Sequence, residues 1–148
     1  MKIRGVFAAV ALFCNAVSAT EFDLVADFST NSNPNGVWSY GSMDVGFANF
    51  VRSPQWGTGW YAANHMANIW MNTNSTSSYG VPSGDVSLHP GTEAQPVVVR
   101  WTAPEEIGLA KIRIAGEFKI GDSGAPSLAI RRGGSALWSG TDFGTFDE

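Results

Sequence analysis

The sequence predicts an all-β fold, most simply a β-sandwich, on three observations. Several short windows alternate apolar and polar residues with a period of two, as strands do when they bury one face. No window sustains helical periodicity over ten residues. Seventeen glycines and seven prolines punctuate the chain at strand-like intervals.

Taken in chain order, the first strand is expected where Phe22, Leu24, Ala26 and Phe28 alternate with Asp23, Val25 and Asp27. Weaker candidates lie at residues 37–40, 45–51, 66–71 and 85–89. Between Arg52 and Gly84 the composition turns rich in Asn, Ser, Thr, Gly and Trp, which predicts long loops, with residues 72–79 polar enough to be mobile. Asn74-Ser75-Thr76 there is a formal glycosylation sequon. Residues 96–102, Pro-Val-Val-Val-Arg-Trp-Thr, form a β-branched run ended by Pro104. The clearest alternation sets Ile112, Ile114, Gly116, Phe118 and Ile120 against Lys111, Arg113, Ala115, Glu117 and Lys119. Residues 127–131 and 135–138 flank Arg132-Gly133-Gly134, where glycine supplies the positive φ of a tight hairpin.

The N-terminus carries a different signal. Lys2 and Arg4 precede an apolar stretch over residues 5–14, and small residues follow up to Ala19, so residues 1–19 read as a cleavable secretory signal peptide. The apolar stretch is far shorter than the ~20 residues a membrane-crossing helix needs, so no transmembrane segment is expected in the mature chain. Residues 20–148 are read as one domain, sized for a single core.

Cys14 is the only cysteine, so the mature chain has no disulfide framework, no thiolate metal site and no cysteine nucleophile. Loss of Lys2 and Arg4 makes the net charge of −4 more negative by two units. An acidic chain without a basic cluster argues against nucleic acid or anionic lipid as a partner. The pair Arg131-Arg132 is read as a hairpin corner rather than a phosphate site.

A resemblance joins several of these segments. Asp27-Phe28-Ser29, Asn33-Pro34-Asn35-Gly36-Val37-Trp38-Ser39-Tyr40-Gly41, Val86-Ser87-Leu88-His89-Pro90-Gly91 and Val98-Val99-Arg100-Trp101-Thr102-Ala103-Pro104 occur in this order. With Ile114-Ala115-Gly116-Glu117-Phe118 the pattern resembles exported bacterial proteins of the PEP-CTERM, exosortase-sorted kind, as far as Gly140. That resemblance implies a secreted, extracellular or cell-surface location and a jelly-roll-like β-sandwich similar to carbohydrate-binding modules. It also implies further strands, a Pro-Glu-Pro sorting signal and a membrane helix beyond the last hairpin. Ending at Asp147-Glu148, the chain is read as truncated before that signal, with a sandwich incomplete at its C-terminus.

Six tryptophans are many for this length. Trp56, Trp60 and Tyr61 fall in a glycine-rich, loop-like stretch and are the candidate ligand-binding residues, because the C–H face of a pyranose packs on an exposed aromatic ring. Trp38, Trp101 and Trp138 are assigned to the core. The two histidines, His65 and His89, lack the spacing of a metal site, and His89 is read as a turn residue whose ring caps backbone groups. Gly121-Asp122-Ser123-Gly124 offers one carboxylate where calcium prefers six or more oxygens, so it is read as a turn. No metal or cofactor is expected.

Catalysis has no support in motifs. Asp27, Asp44, Glu105, Glu106 and Glu117 are available for glycoside hydrolysis, but the sequence fixes no pair of them. A nucleophile elbow, a phosphate loop and a His-Glu-x-x-His motif are all missing. The expected function is a secreted, non-catalytic surface or matrix module that binds carbohydrate or another extracellular polymer. A structural surface protein without a small-ligand site is the main alternative, and a glycoside hydrolase fragment the weaker one.

Overall fold

The computed structural model describes residues 20–43, 46–53, 57–91, 95–108, 111–121, 126–141 and 144–147. The expected signal peptide, Trp56, and the residues that would form the Asp122 turn lie outside these. The described chain is nearly all β, with one short 3-10 turn at Glu105–Ile107. In chain order the strands are β1 (Trp38–Met43), β2 (Phe47–Asn49), β3 (Val51–Arg52), β4 (Gly59–Tyr61), β5 (Asn68–Met71), β6 (Val86–His89), β7 (Val97–Trp101), β8 (Ala115–Phe118), β9 (Leu128–Arg132), β10 (Ser135–Gly140) and β11 (Gly144–Asp147).

Two antiparallel sheets, β2-β1-β7 and β3-β4-β5-β6, close on one core. Strand alternation decides what each contributes. Tyr40 on β1 lies in register with Val99 on β7, while Trp60 on β4 lies in register with Ile69 on β5. These side chains meet Phe50, Ala62 and Ala67, and Val86 and Val97 pack on the margin. Tyr40 and Ile69 are wholly buried, and burial of an apolar side chain of this size contributes about 1.5–3 kcal/mol. The chain passes from one sheet to the other through Phe50, whose N–H donates to the Tyr40 carbonyl at 2.9 Å. This is a sandwich arrangement. Within it the four-stranded sheet is a simple meander.

Several expected strands appear close to their expected places, β7 and the β9–β10 hairpin most closely, with Gly133 at φ 57 in its turn. The first expected strand is instead a turn. Asp23 Oδ1 accepts from the N–H groups of Val25 at 2.8 Å and Ala26 at 3.1 Å, and Asp27 N–H reaches back to the Asp23 carbonyl at 2.9 Å. An aspartate that bonds its own following backbone offers the chain an alternative to a sheet ladder. Leu24 and Phe28, four residues apart, then both pack against the core as they would on a helical turn.

The long alternation at residues 111–120 yields only the four residues of β8, paired with β11. Phe118, Trp138 and Phe146 form a separate aromatic cluster with centroid distances of 5.6, 5.3 and 5.9 Å, which joins the β8–β11 pair to the β9–β10 hairpin. Lys119 Nζ donates to Asp85 Oδ2 at 2.9 Å and ties this part to the loop before β6.

Two asparagines replace ladder bonds where the chain leaves the sheets. Asn33 Nδ2 donates to the carbonyls of Tyr40 at 2.7 Å and Phe50 at 2.9 Å, and Asn33 Oδ1 accepts from Tyr40 N–H at 2.9 Å. Asn72, wholly buried, donates to the carbonyls of Thr76 at 2.9 Å and Val81 at 2.8 Å and accepts from Asn74 N–H at 3.1 Å. Amides placed in this way add partners to backbone groups where the ladders end.

Candidate functional site: an aromatic corner on the four-stranded sheet

Of the three residues expected to bind a ligand, Trp56 lies outside the described residues, and Trp60 and Tyr61 are both buried. Trp60 points into the core, 5% exposed, and its indole N–H donates to the Ser29 carbonyl at 2.8 Å. Tyr61, next along β4, points to the opposite face but is 7% exposed, with the His65 ring 6.2 Å away. Burial raises the Tyr61 hydroxyl above the ordinary tyrosine value. Neither Trp60 nor Tyr61 offers an open ring face. The stretch reads as a loop by composition, yet Gly59–Tyr61 is a central strand of the sheet.

The same outer face carries a different aromatic pair. By alternation it holds Val51, Gly59, Tyr61, Asn68, Trp70, Ser87 and His89, with Gly59, Trp70 and Ser87 in one cross-strand row and Tyr61, Asn68 and His89 in the next. Gly59 makes room for Trp70: an added Cβ would lie 2.6 Å from the Ile69 carbonyl oxygen and 2.6 Å from Trp70 Cβ. Trp70 is half-buried. Tyr79, from the loop between β5 and β6, stands edge-on to it, with ring centroids 6.2 Å apart and planes at 86°. The two rings make a right-angled corner.

Tyr79 is 79% exposed and has φ 50, a left-handed backbone that a bulky side chain rarely adopts. Its turn explains the conformation. Ser78 and Val81 exchange both backbone hydrogen bonds, at 3.0 and 2.9 Å, so Tyr79 and Gly80 are the two central residues of a tight hairpin, and Gly80 has φ 72. Positive φ at both centres is the pattern of a type I′ turn, where asparagine followed by glycine is usual. Tyrosine in the first position costs about 1–2 kcal/mol relative to an unstrained conformation.

The loop is fixed from below. The Asn72 bonds hold its two arms together, Gly84 N–H donates to the Asn72 carbonyl at 2.8 Å, and Ser83 Oγ donates to the Asn74 carbonyl at 2.6 Å. The polar neighbours on the face are uncharged side chains and a histidine. Asn68 Nδ2 donates to the Met66 carbonyl at 3.1 Å, and the same carbonyl lies 3.3 Å from His89 Nδ1; His89 ends strand β6 rather than standing in a turn, though its ring does meet a backbone group. None of the residues in these two rows is a carboxylate, lysine or arginine.

Among the described residues no cluster of three or more His, Cys, Asp or Glu could hold a metal ion, and no helix is long and apolar enough to cross a membrane. Trp70 and Tyr79 were not singled out by sequence, because both lie in stretches that read as weak strand and polar loop. The Tyr79-Gly80 dipeptide after a serine and before a β-branched residue is the one local hint of a hairpin tip. No protein-family model matches the chain, and neither the curated proteins nor the solved structures contain a significant match to it.

Proposed function

We propose that this chain is an exported, non-catalytic surface or matrix module of the PEP-CTERM kind that holds an uncharged extracellular polysaccharide at the Trp70–Tyr79 corner. The observation that carries the reading is Tyr79: a ring 79% exposed, kept in a left-handed conformation at a hairpin tip. Backbone strain at an exposed aromatic residue is the kind of local cost that persists where a side chain is needed for contact. A pyranose stacks its C–H face on one ring while the second ring limits sliding, and Asn68, Ser87 and His89 supply hydrogen-bonding partners along the same face. The lack of charge in the two rows favours a neutral polymer.

Export places the module where such polymers occur, and the secretory-type N-terminus together with the family-like motifs supports it. The experiment is co-sedimentation of the folded chain with a panel of insoluble neutral polysaccharides, followed in parallel by intrinsic tryptophan fluorescence. Retention on at least one polymer, with a spectral change, is expected. A folded chain that stays in the supernatant throughout the panel contradicts the proposal and favours a purely structural role.

A further inference from the structure

A second concavity lies at the opposite end of the chemistry, among acidic groups. The turn capped by Asp23 swings the N-terminal segment across the β1 and β7 ends, so that the Phe22 ring meets Trp101 edge-on at 5.5 Å. A cleft of about 430 Å³ opens between this segment and the start of β1, inside the roughly 300–1,000 Å³ range of small-ligand sites. Glu21, Phe22, Asp27, Asn35 and Trp38 give it its character.

The hydrogen bonds within the walls leave an uneven balance. Trp38 Nε1–H donates to Asp27 Oδ2 at 3.0 Å, and Asn35 Nδ2 donates to the Asp27 carbonyl at 2.9 Å. These bonds commit side-chain donors of the lining inward. Asp27 Oδ1, Asn35 Oδ1 and the Glu21 carboxylate have no protein partner among the described residues, and no lysine, arginine or histidine lines the cleft. A ligand seated there meets acceptors, two of them on carboxylates, and the apolar flank of the Trp38 indole. Two carboxylates are too few for a hard metal ion that needs six or more oxygens. An organic cation with several N–H donors matches both the acceptors and the aromatic wall.

We infer that the cleft formed by Glu21, Phe22, Asp27, Asn35 and Trp38 binds a primary ammonium group, carried by an amino sugar or by a free alkylamine. The inference stands on this cleft alone and is independent of the Trp70–Tyr79 reading. Glu21 and Asp27 supply charge-assisted acceptors, Asn35 Oδ1 a neutral one, and Trp38 a half-buried aromatic wall.

The test titrates the full chain with glucosamine, N-acetylglucosamine and cadaverine, by calorimetry and by the indole N–H resonance of Trp38. Glucosamine is expected to bind and to move that resonance, and N-acetylation to weaken binding about tenfold or more, the loss of one charge-assisted hydrogen bond. Glucosamine binding more tightly than cadaverine supports the ammonium site with a sugar source, whereas equal or tighter binding of cadaverine supports it with a free amine. The double variant Glu21→Gln with Asp27→Asn is expected to lose about tenfold or more in affinity, with Glu21→Gln alone as the variant least able to disturb folding, since Glu21 is exposed. Affinity is also expected to fall with added salt. Equal affinity for glucosamine and its N-acetyl form, a Trp38 resonance unmoved by either amine, or full affinity in the folded double variant each overturns the inference.

Discussion

Tyr79 concentrates the trade between stability and contact in a single residue. The type I′ hairpin wants asparagine where Tyr79 stands, so Tyr79→Asn is expected to stabilise the fold by ~1 kcal/mol and to raise the thermal midpoint by a few degrees in a melting scan. The same change is expected to weaken polysaccharide retention by up to about tenfold, the loss of one ring stack. A fall in the midpoint would show that the ring contributes more to packing on Trp70 than the turn loses to strain. Asn72 acts in the opposite sense. Removing its amide in Asn72→Ala takes a partner from the Thr76 carbonyl and the Asn74 N–H while the Val81 carbonyl keeps Ser78 N–H and Ser77 Oγ, so a loss of about 1–2 kcal/mol is expected in a urea titration, the cost of one or two hydrogen bonds in partly buried surroundings.

Tyr40 adds a pH dependence. Its hydroxyl is buried beside the Ser29 backbone without a hydrogen bond of good geometry, and burial pushes it up to about 12 from 10.0. The folded state thus keeps its proton where the unfolded chain loses it. The contribution is intact below pH 10 and is lost as pH rises from 10 towards 12. Alkaline unfolding followed by circular dichroism is expected to begin in that window, and Tyr40→Phe to move its onset upward.

At the scale of elements, the strands legible in sequence are those whose side chains report their own burial. Val97–Trp101 is a β-branched run, and the β9–β10 hairpin has glycine at its turn, so both read directly. The missed elements depend on partners. Gly59–Tyr61 is flanked by glycine and aromatic residues that resemble a loop, and its status as a central strand comes only from pairing with β3 and β5. The first expected strand fails for the converse reason: a local Asp23 bond to the backbone outcompetes a ladder that alternation alone suggests. The aromatic corner was not legible in the sequence. Of the aromatic residues expected at 56–61, Tyr61 lies on the outer face of the four-stranded sheet but is buried, while the open ring belongs to Tyr79 in a polar hairpin held by Asn72, Ser83 and the Ser78–Val81 backbone bonds. Gly59→Ala tests the geometry of this sheet, since its methyl would collide with the Ile69 carbonyl and Trp70; a loss of about 1–3 kcal/mol is expected in chemical denaturation.

For the whole molecule, the two faces of the four-stranded sheet have different duties. Its inner face closes the core with Trp60 and Ile69, and its outer face presents Trp70, Tyr79 and an uncharged polar row. The strain at Tyr79 lies in a surface hairpin away from that core, so in the proposed reading a contact ring is presented without loosening the sandwich. The most direct test compares the folded chain with Tyr79→Ala on whichever insoluble polysaccharide retains the parent. Loss of one ring stack, worth roughly 0.5–1.5 kcal/mol, predicts weaker retention by up to about tenfold with unchanged circular dichroism. Equal retention by parent and variant would contradict the account, because the polymer would then be held elsewhere.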